Sequence, residues 1–198
     1  MNRVYKLFYI LVYPFGKLLF RPKTVGRENL PEGAALLCAN HSGYSDPVIV
    51  DLCCGFHNCI HFMAKKSLLK IPVLGALIRW AGTFGVERGT ADVEAVRTAM
   101  RYLKNGEKVG IFPEGTRVEK DGDMEAKTGA IRIAAKTGAP IVPVHIPRDK
   151  KLFHRTVITF GEPYTVQVDR KTANGETYAA LARELMGKIE ELGRRPWT

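Results

Sequence analysis

No stretch of this 198-residue chain holds the roughly 20 consecutive apolar residues that a helix needs to cross a bilayer. The best candidate, residues 7–16, is too short, and Lys6 and Lys17 close it at either end. Acidic residues are absent before Glu28. No secretory signal with a small-residue cleavage site precedes the four cysteines, Cys38, Cys53, Cys54 and Cys59. They are therefore expected as reduced thiols filling the core. They include no Cys-x2-Cys pair, and the nearby His57 and His61 do not complete a zinc-like ligand spacing, so no metal site is expected. Zinc-finger spacings and RNA-recognition signatures are missing too, which argues against a nucleic-acid partner. Repeats, low-complexity tracts and internal linkers are also lacking. The length suits one domain with a substantial core.

What is plentiful is positive charge. Thirty Lys and Arg against twenty Asp and Glu give a formal net charge of +10, which implies an anionic partner. The charge is patterned at the start of the chain. On an ideal helix Arg3, Lys6, Lys17 and Arg21 fall within an arc of roughly 60°, while Leu7, Phe8, Leu11, Phe15 and Leu18 occupy the other side. Residues 1–23 thus read as an amphipathic helical segment lying in the plane of a membrane with anionic lipids, with residues 24–198 as the globular domain. Pro14 and Gly16 are expected to kink the segment or break it into two short helices. The competing reading is an amphipathic helix docked on the domain's own core.

From there, strand-like and helix-like runs alternate. Residues 34–39, 58–64, 108–112, 141–146 and 156–160 read as strands. Residues 92–104 and 179–192 carry helical spacing, a helix through Ile131 and Ile133 ends near Gly138, and Ser67 opens a broken helix to Arg79. The pattern predicts an α/β sandwich around a mainly parallel sheet flanked by helices. In such a sheet the loops after the strands gather at one edge, where ligands bind.

Those loops carry the polar motifs. Asn40-His41-Ser42-Gly43-Tyr44-Ser45-Asp46 joins a strand to a helix that is expected to have Asp46 as its N-cap and Pro47 at its first position. A loop that folds back brings the Asp46 carboxylate onto His41, fixing the ring's tautomer and stabilising the imidazolium formed when the ring takes a proton. Phe112-Pro113-Glu114-Gly115-Thr116-Arg117 follows another strand, Gly82 to Arg88 lies between the two as a short strand ending at Arg88, and Ala139-Pro140-Ile141-Val142-Pro143-Val144 comes later. In this order the stretches resemble the four blocks of the glycerolipid acyltransferase family, most closely its 1-acylglycerol-3-phosphate acyltransferases. The likeness runs from about Gly26 to Pro163. One departure is Gly43, where the family often has serine.

The resemblance implies transfer of a fatty acyl group from acyl carrier protein or coenzyme A to the free hydroxyl of 1-acylglycerol-3-phosphate, making phosphatidic acid. It implies no cofactor beyond that co-substrate. His41 would act as general base, oriented by Asp46. Arg88 and Arg117 would bind phosphate, Glu114 would position glycerol oxygens, and Gly115 and Thr116 would supply close backbone approach and a hydroxyl. Lys127 would add positive potential, and Pro143 would shape an acyl-chain wall. The implied location is the cytoplasmic face of the cell membrane, peripheral or monotopic. Glycerol-3-phosphate or another lysophospholipid is the alternative acceptor. A thioester hydrolase with the same His-Asp pair, or a non-catalytic lipid-binding protein, are the alternative classes.

Overall fold

Runs with apolar residues at successive positions form the strands at the centre of the sheet, where both faces are covered. A computed structural model describes residues 3–87, 89, 92–120, 125–169 and 172–194. Its seven strands are β1 (Lys23–Val25), β2 (Ala35–Ala39), β3 (Ile60–Lys65), β4 (Phe84–Val86), β5 (Lys108–Ile111), β6 (Ile141–His145) and β7 (Val157–Phe160). Their order across the sheet is β1-β7-β6-β2-β5-β3-β4. Every pairing is parallel except β6 with β7. The fold is therefore the α/β arrangement expected from the sequence.

Alternation along β2 divides the core. Leu36 and Cys38 face a layer made by α5 (Val93–Lys104), α6 (Gly129–Thr137) and α7 (Gly175–Arg194). Ala35, Leu37 and Ala39 face α2 (Asp46–Cys54) through Ile49, Val50 and Cys53. Cys38, Cys53 and Cys54 are buried, Cys59 is half-buried, and all four are free thiols.

The first helix, α1 (Arg3–Phe20), stacks on the outer side of α2. It runs unbroken through Pro14, contrary to the expected break. Gly16 serves a different purpose: a Cβ there would lie 2.2 Å from Leu52 Cδ1, so the missing side chain lets α1 lie against α2. Tyr5 Oη lies 3.1 Å from both carboxylate oxygens of the buried Asp51, and Tyr9 donates to Leu52 O at 3.2 Å. Phe8, placed by its position on the lipid side, is buried instead. Leu7, Ile10, Leu11, Phe15 and Leu18 are exposed on the side away from Tyr5 and Tyr9. One face thus docks on the domain, as the competing reading expects, and the other is bare. Among the described residues no helix is long and apolar enough to cross a membrane.

Two short helices, α3 (Lys66–Leu69) and α4 (Leu74–Trp80), replace the single broken one. Ser67 lies inside α3 instead of capping it.

Candidate active site

Asp46 is the first residue of α2, and Ser45, not Asp46, stands at the N-cap. The aspartate side chain therefore turns back over the preceding loop. Its Oδ2 accepts hydrogen bonds from the Ser42 amide at 2.7 Å and the Gly43 amide at 2.8 Å, and lies 2.9 Å from His41 Nδ1. A Cβ on Gly43 would meet only ordinary contacts, at 3.5 Å or more. The family's serine would fit there, so this departure leaves the loop's shape intact.

The imidazole is fixed from three sides. Its ring stacks on Phe112, with centroids 4.0 Å apart, and Phe112 stacks on Phe62. The His41 amide donates to Glu114 Oε2 at 2.7 Å, and the His41 carbonyl accepts from the Val118 amide at 2.8 Å. Just before it, Asn40 is fully buried and closes a pair of hydrogen bonds with Ile146, donating to its carbonyl at 2.7 Å and accepting from its amide at 2.8 Å. The Asn40 side chain thus extends the β2–β6 pairing one step beyond the strands.

Glu114 is 2% exposed, and both its oxygens meet protein donors: the His41 amide on one side, the Arg148 guanidinium on the other. Burial pushes its carboxyl up, and these hydrogen bonds only partly offset that, so it sits above the ordinary glutamate value. Asp46 shows the opposite balance. Burial pushes it up, but the His41 hydrogen bond, the Lys150 ammonium and the Gly43 amide together hold it below the ordinary aspartate value. Lys150 Nζ lies 2.8 Å from Asp46 Oδ1, an ion pair by distance, while its well-aligned hydrogen bonds go to Ser42 Oγ (2.6 Å) and Pro147 O (3.0 Å).

Arg117 is exposed, its guanidinium 3.7 Å from the centroid of the Tyr44 ring. Gly115 takes a left-handed conformation (φ 71°) that turns the chain between Glu114, facing inward, and Arg117, facing outward. Lys127 is exposed beside it, with Cγ 3.2 Å from where a Gly115 Cβ would sit. Thr116 is half-buried on the same turn. Arg88 lies outside the described residues. Beside this turn opens a cavity of about 1000 Å³ between α5 and α6. Met63, Val96, Met100 and Ile133 line it, with Arg97, Lys127 and Arg132 among its polar residues. Pro143, expected on an acyl wall, is instead buried in β6 against Gly161.

The acyltransferase family model matches residues 21–147, well over half of the chain. The chain belongs to the acyltransferase family. It is 32% identical over 176 residues to a 1-acyl-sn-glycerol-3-phosphate acyltransferase of Bacillus subtilis, covering 86% of this chain and 87% of that one. It is 30% identical over 190 residues to a chloroplastic 1-acyl-sn-glycerol-3-phosphate acyltransferase of Arabidopsis thaliana, covering 92% of this chain and 51% of the relative. Among solved structures, the 1-acyl-sn-glycerophosphate acyltransferase of Thermotoga maritima superposes with a TM-score of 0.67 at 27% identity, covering 98% of this chain and 80% of that one.

In this acyltransferase the motif histidine, aspartate and glutamate converge on one loop cluster, while Arg117 and Lys127 stand at its rim. Sequence reasoning did not reach Arg148 and Lys150. Both lie on the loop after β6, and the tendency of ligand sites to gather beyond the carboxyl ends of parallel strands points to that loop as much as to the others.

Proposed function

We propose that this acyltransferase moves a fatty acyl group from a thioester, borne by acyl carrier protein or coenzyme A, to the free hydroxyl of 1-acylglycerol-3-phosphate. The product is phosphatidic acid. The observation that carries the reading is the 2.9 Å contact of His41 Nδ1 with a fully buried Asp46. An ionised carboxylate at Nδ1 keeps the proton on that nitrogen and leaves Nε2 as the basic one. Among the described residues Nε2 makes no hydrogen bond to protein.

In the proposed step Nε2 takes the acceptor's hydroxyl proton as the oxygen attacks the thioester carbonyl carbon. The tetrahedral intermediate collapses with cleavage of the carbon–sulfur bond, and the imidazolium returns its proton to the departing thiolate. The thioester is already activated, so the step uses no metal or covalent enzyme intermediate. Arg117, with Arg88 and Lys127, would hold the acceptor's phosphate, a role suited to a guanidinium fork. Thr116 would add a hydroxyl donor. Glu114, with both oxygens engaged, would act through His41 instead of touching glycerol. The apolar part of the α5–α6 cavity would take an acyl chain. The bare face of α1, edged by Lys6 and Lys17, would rest in the interface of an anionic membrane without crossing it.

The test offers the membrane-bound enzyme a labelled acyl thioester with lysophosphatidate, glycerol-3-phosphate, other lysophospholipids or no acceptor. Labelled phosphatidic acid is expected, with His41→Ala about two to four orders of magnitude slower. Thiol release that is equally fast without acceptor would make the protein a hydrolase.

A further inference from the structure

The family match stops at residue 147, and the next eight residues hold features that the reading above leaves unused. Residues 151–155 are exposed in sequence, and two of them are large and apolar: Leu152 at 54% and Phe153 at 58%. Phe153 also has a left-handed backbone (φ 64°), which a bulky side chain adopts only when its surroundings impose it. Two hydrogen bonds impose it here. The Phe153 amide donates to Leu19 O at 2.6 Å and the Thr156 amide to Phe20 O at 3.1 Å, tying this loop to the last turn of α1. A bulky apolar side chain held outward in a disfavoured conformation gains nothing from water.

Its surroundings name an occupant. Phe153 borders a shallow cleft of about 650 Å³ with Tyr13, Pro14, Lys17, Leu18 and Arg21, so it continues the bare face of α1 along its cationic edge. Lys151 and Arg155 flank the apolar pair, His154 lies between them, and Asp149 is the only acid in the loop. An apolar tip ringed by cations matches the head-group region of an anionic leaflet.

We propose that residues 148–155 form a second membrane contact, in which Leu152 and Phe153 enter the leaflet beside α1. The same loop reaches the catalytic pair. Arg148 holds Glu114 and the His41 carbonyl, and Lys150 holds Asp46 and Ser42. Phe153 lies three positions after Lys150, so their Cα atoms lie within about 11 Å of each other. A tip seated in the interface therefore fixes His41 near the level where a lysophospholipid carries its hydroxyl and phosphate. Arg148 and Lys150 are positioning residues of this loop, and the tip sets its height. The inference rests on the acyltransferase reading and on α1 lying at the membrane.

The test uses the full chain. Leu152→Cys, labelled with an environment-sensitive dye, is mixed with vesicles of phosphatidylglycerol and phosphatidylcholine, with the labelled parent protein correcting for native thiols. A blue shift and quenching by lipids brominated in the upper acyl chain are expected. In parallel, Phe153→Ser and Phe15→Ser are compared on vesicle-borne and on monomeric short-chain lysophosphatidate. For Phe153→Ser the ratio of vesicle to monomer rate should fall about tenfold. A dye that stays in water on vesicles that bind the protein overturns the proposal while leaving α1 at the membrane. So does a Phe153→Ser ratio equal to the parent's when Phe15→Ser lowers it. Failure to acylate any acceptor, by contrast, refutes the acyltransferase reading on which the proposal stands.

Discussion

Replacing Glu114 by glutamine keeps the side chain's shape and one acceptor oxygen but removes its charge opposite Arg148. The oxygen can still face the His41 amide, which places the new NH₂ group against the Arg148 guanidinium, donor against donor. A charge-assisted hydrogen bond contributes about 1.5–3 kcal/mol, and a buried pair broken from one side costs about 3–5 kcal/mol. Arg148 keeps its hydrogen bonds to Val118 O at 2.7 Å and His41 O at 3.3 Å, so the loss should fall near the lower figure, about 2–3 kcal/mol. A domain of ordinary stability, about 5–15 kcal/mol, survives that. Activity should suffer differently. The lost contact supports the His41 backbone, and a displacement of about 1 Å at a catalytic group costs on the order of a hundredfold. We therefore expect kcat to fall roughly tenfold to a hundredfold while the KM for lysophosphatidate stays within about threefold. Steady-state kinetics with separate variation of donor and acceptor, alongside urea unfolding, measure both effects. A normal kcat with an acceptor KM raised tenfold would show that Glu114 touches the substrate, and the supporting role assigned to it would be wrong.

Arg117→Ala should raise the KM for phosphorylated acceptors roughly tenfold to a hundredfold and leave the donor's KM nearly unchanged, with lysine restoring only part. Equal effects on phosphorylated and dephosphorylated acceptors would remove Arg117 from the phosphate site. Lys150→Met takes away a cation that competes for Asp46, leaving the carboxylate freer to stabilise the imidazolium. The acid limb of the pH–rate profile should move to higher pH, and an unmoved limb would mean that Lys150 only holds the loop. Asp51 supplies the clearest pH dependence of stability. Burial raises its carboxyl to about 8, against a partial lowering by the Tyr5 hydrogen bond. The group is then protonated in the fold and ionised in the unfolded chain between about pH 4 and 8. Stability from this site is complete at low pH and is lost as pH rises through that window, by up to about 1.4 kcal/mol per unit. Urea titrations at several pH values should show the parent protein weakening relative to Asp51→Asn. A constant difference between pH 5 and 8 would mean that Asp51 is ionised in the fold.

The central strands were legible because they are continuous apolar runs, and the helices because they carry one-sided spacing, as at Val96, Ala99 and Leu103. The convergence of His41 and Asp46 was legible from residue types on a strand-to-helix loop. Three things were not. The short strand Lys23–Val25 is too brief for a periodicity, and only its partner β7 makes it a strand. The inward turn of Glu114 depends on Gly115's positive φ and on Arg148, roughly 30 residues away, which no local pattern encodes. The docked face of α1 was not legible because Tyr5 and Tyr9 carry no local signal of their partners, and only the fold brings Asp51 and the Leu52 carbonyl to their hydroxyls.

The placing of Lys23–Val25 beside Val157–Phe160 has a consequence for how the molecule is made. Among the described residues, the strand that follows α1 pairs only with one that appears roughly 130 residues later. At a synthesis rate of about 5–20 residues per second, that partner arrives on the order of ten seconds after the helix. Throughout this interval the sheet cannot close over the start of the chain, whereas the outer side of α1, bare even in the finished fold, is ready to bind. With the membrane contact of α1 proposed above, a nearby bilayer would have the first opportunity to capture the nascent chain, before the enzyme is complete. Ribosome-held chains that end at residue 120 would already float with anionic vesicles; if only full-length chains float, docking waits for the fold.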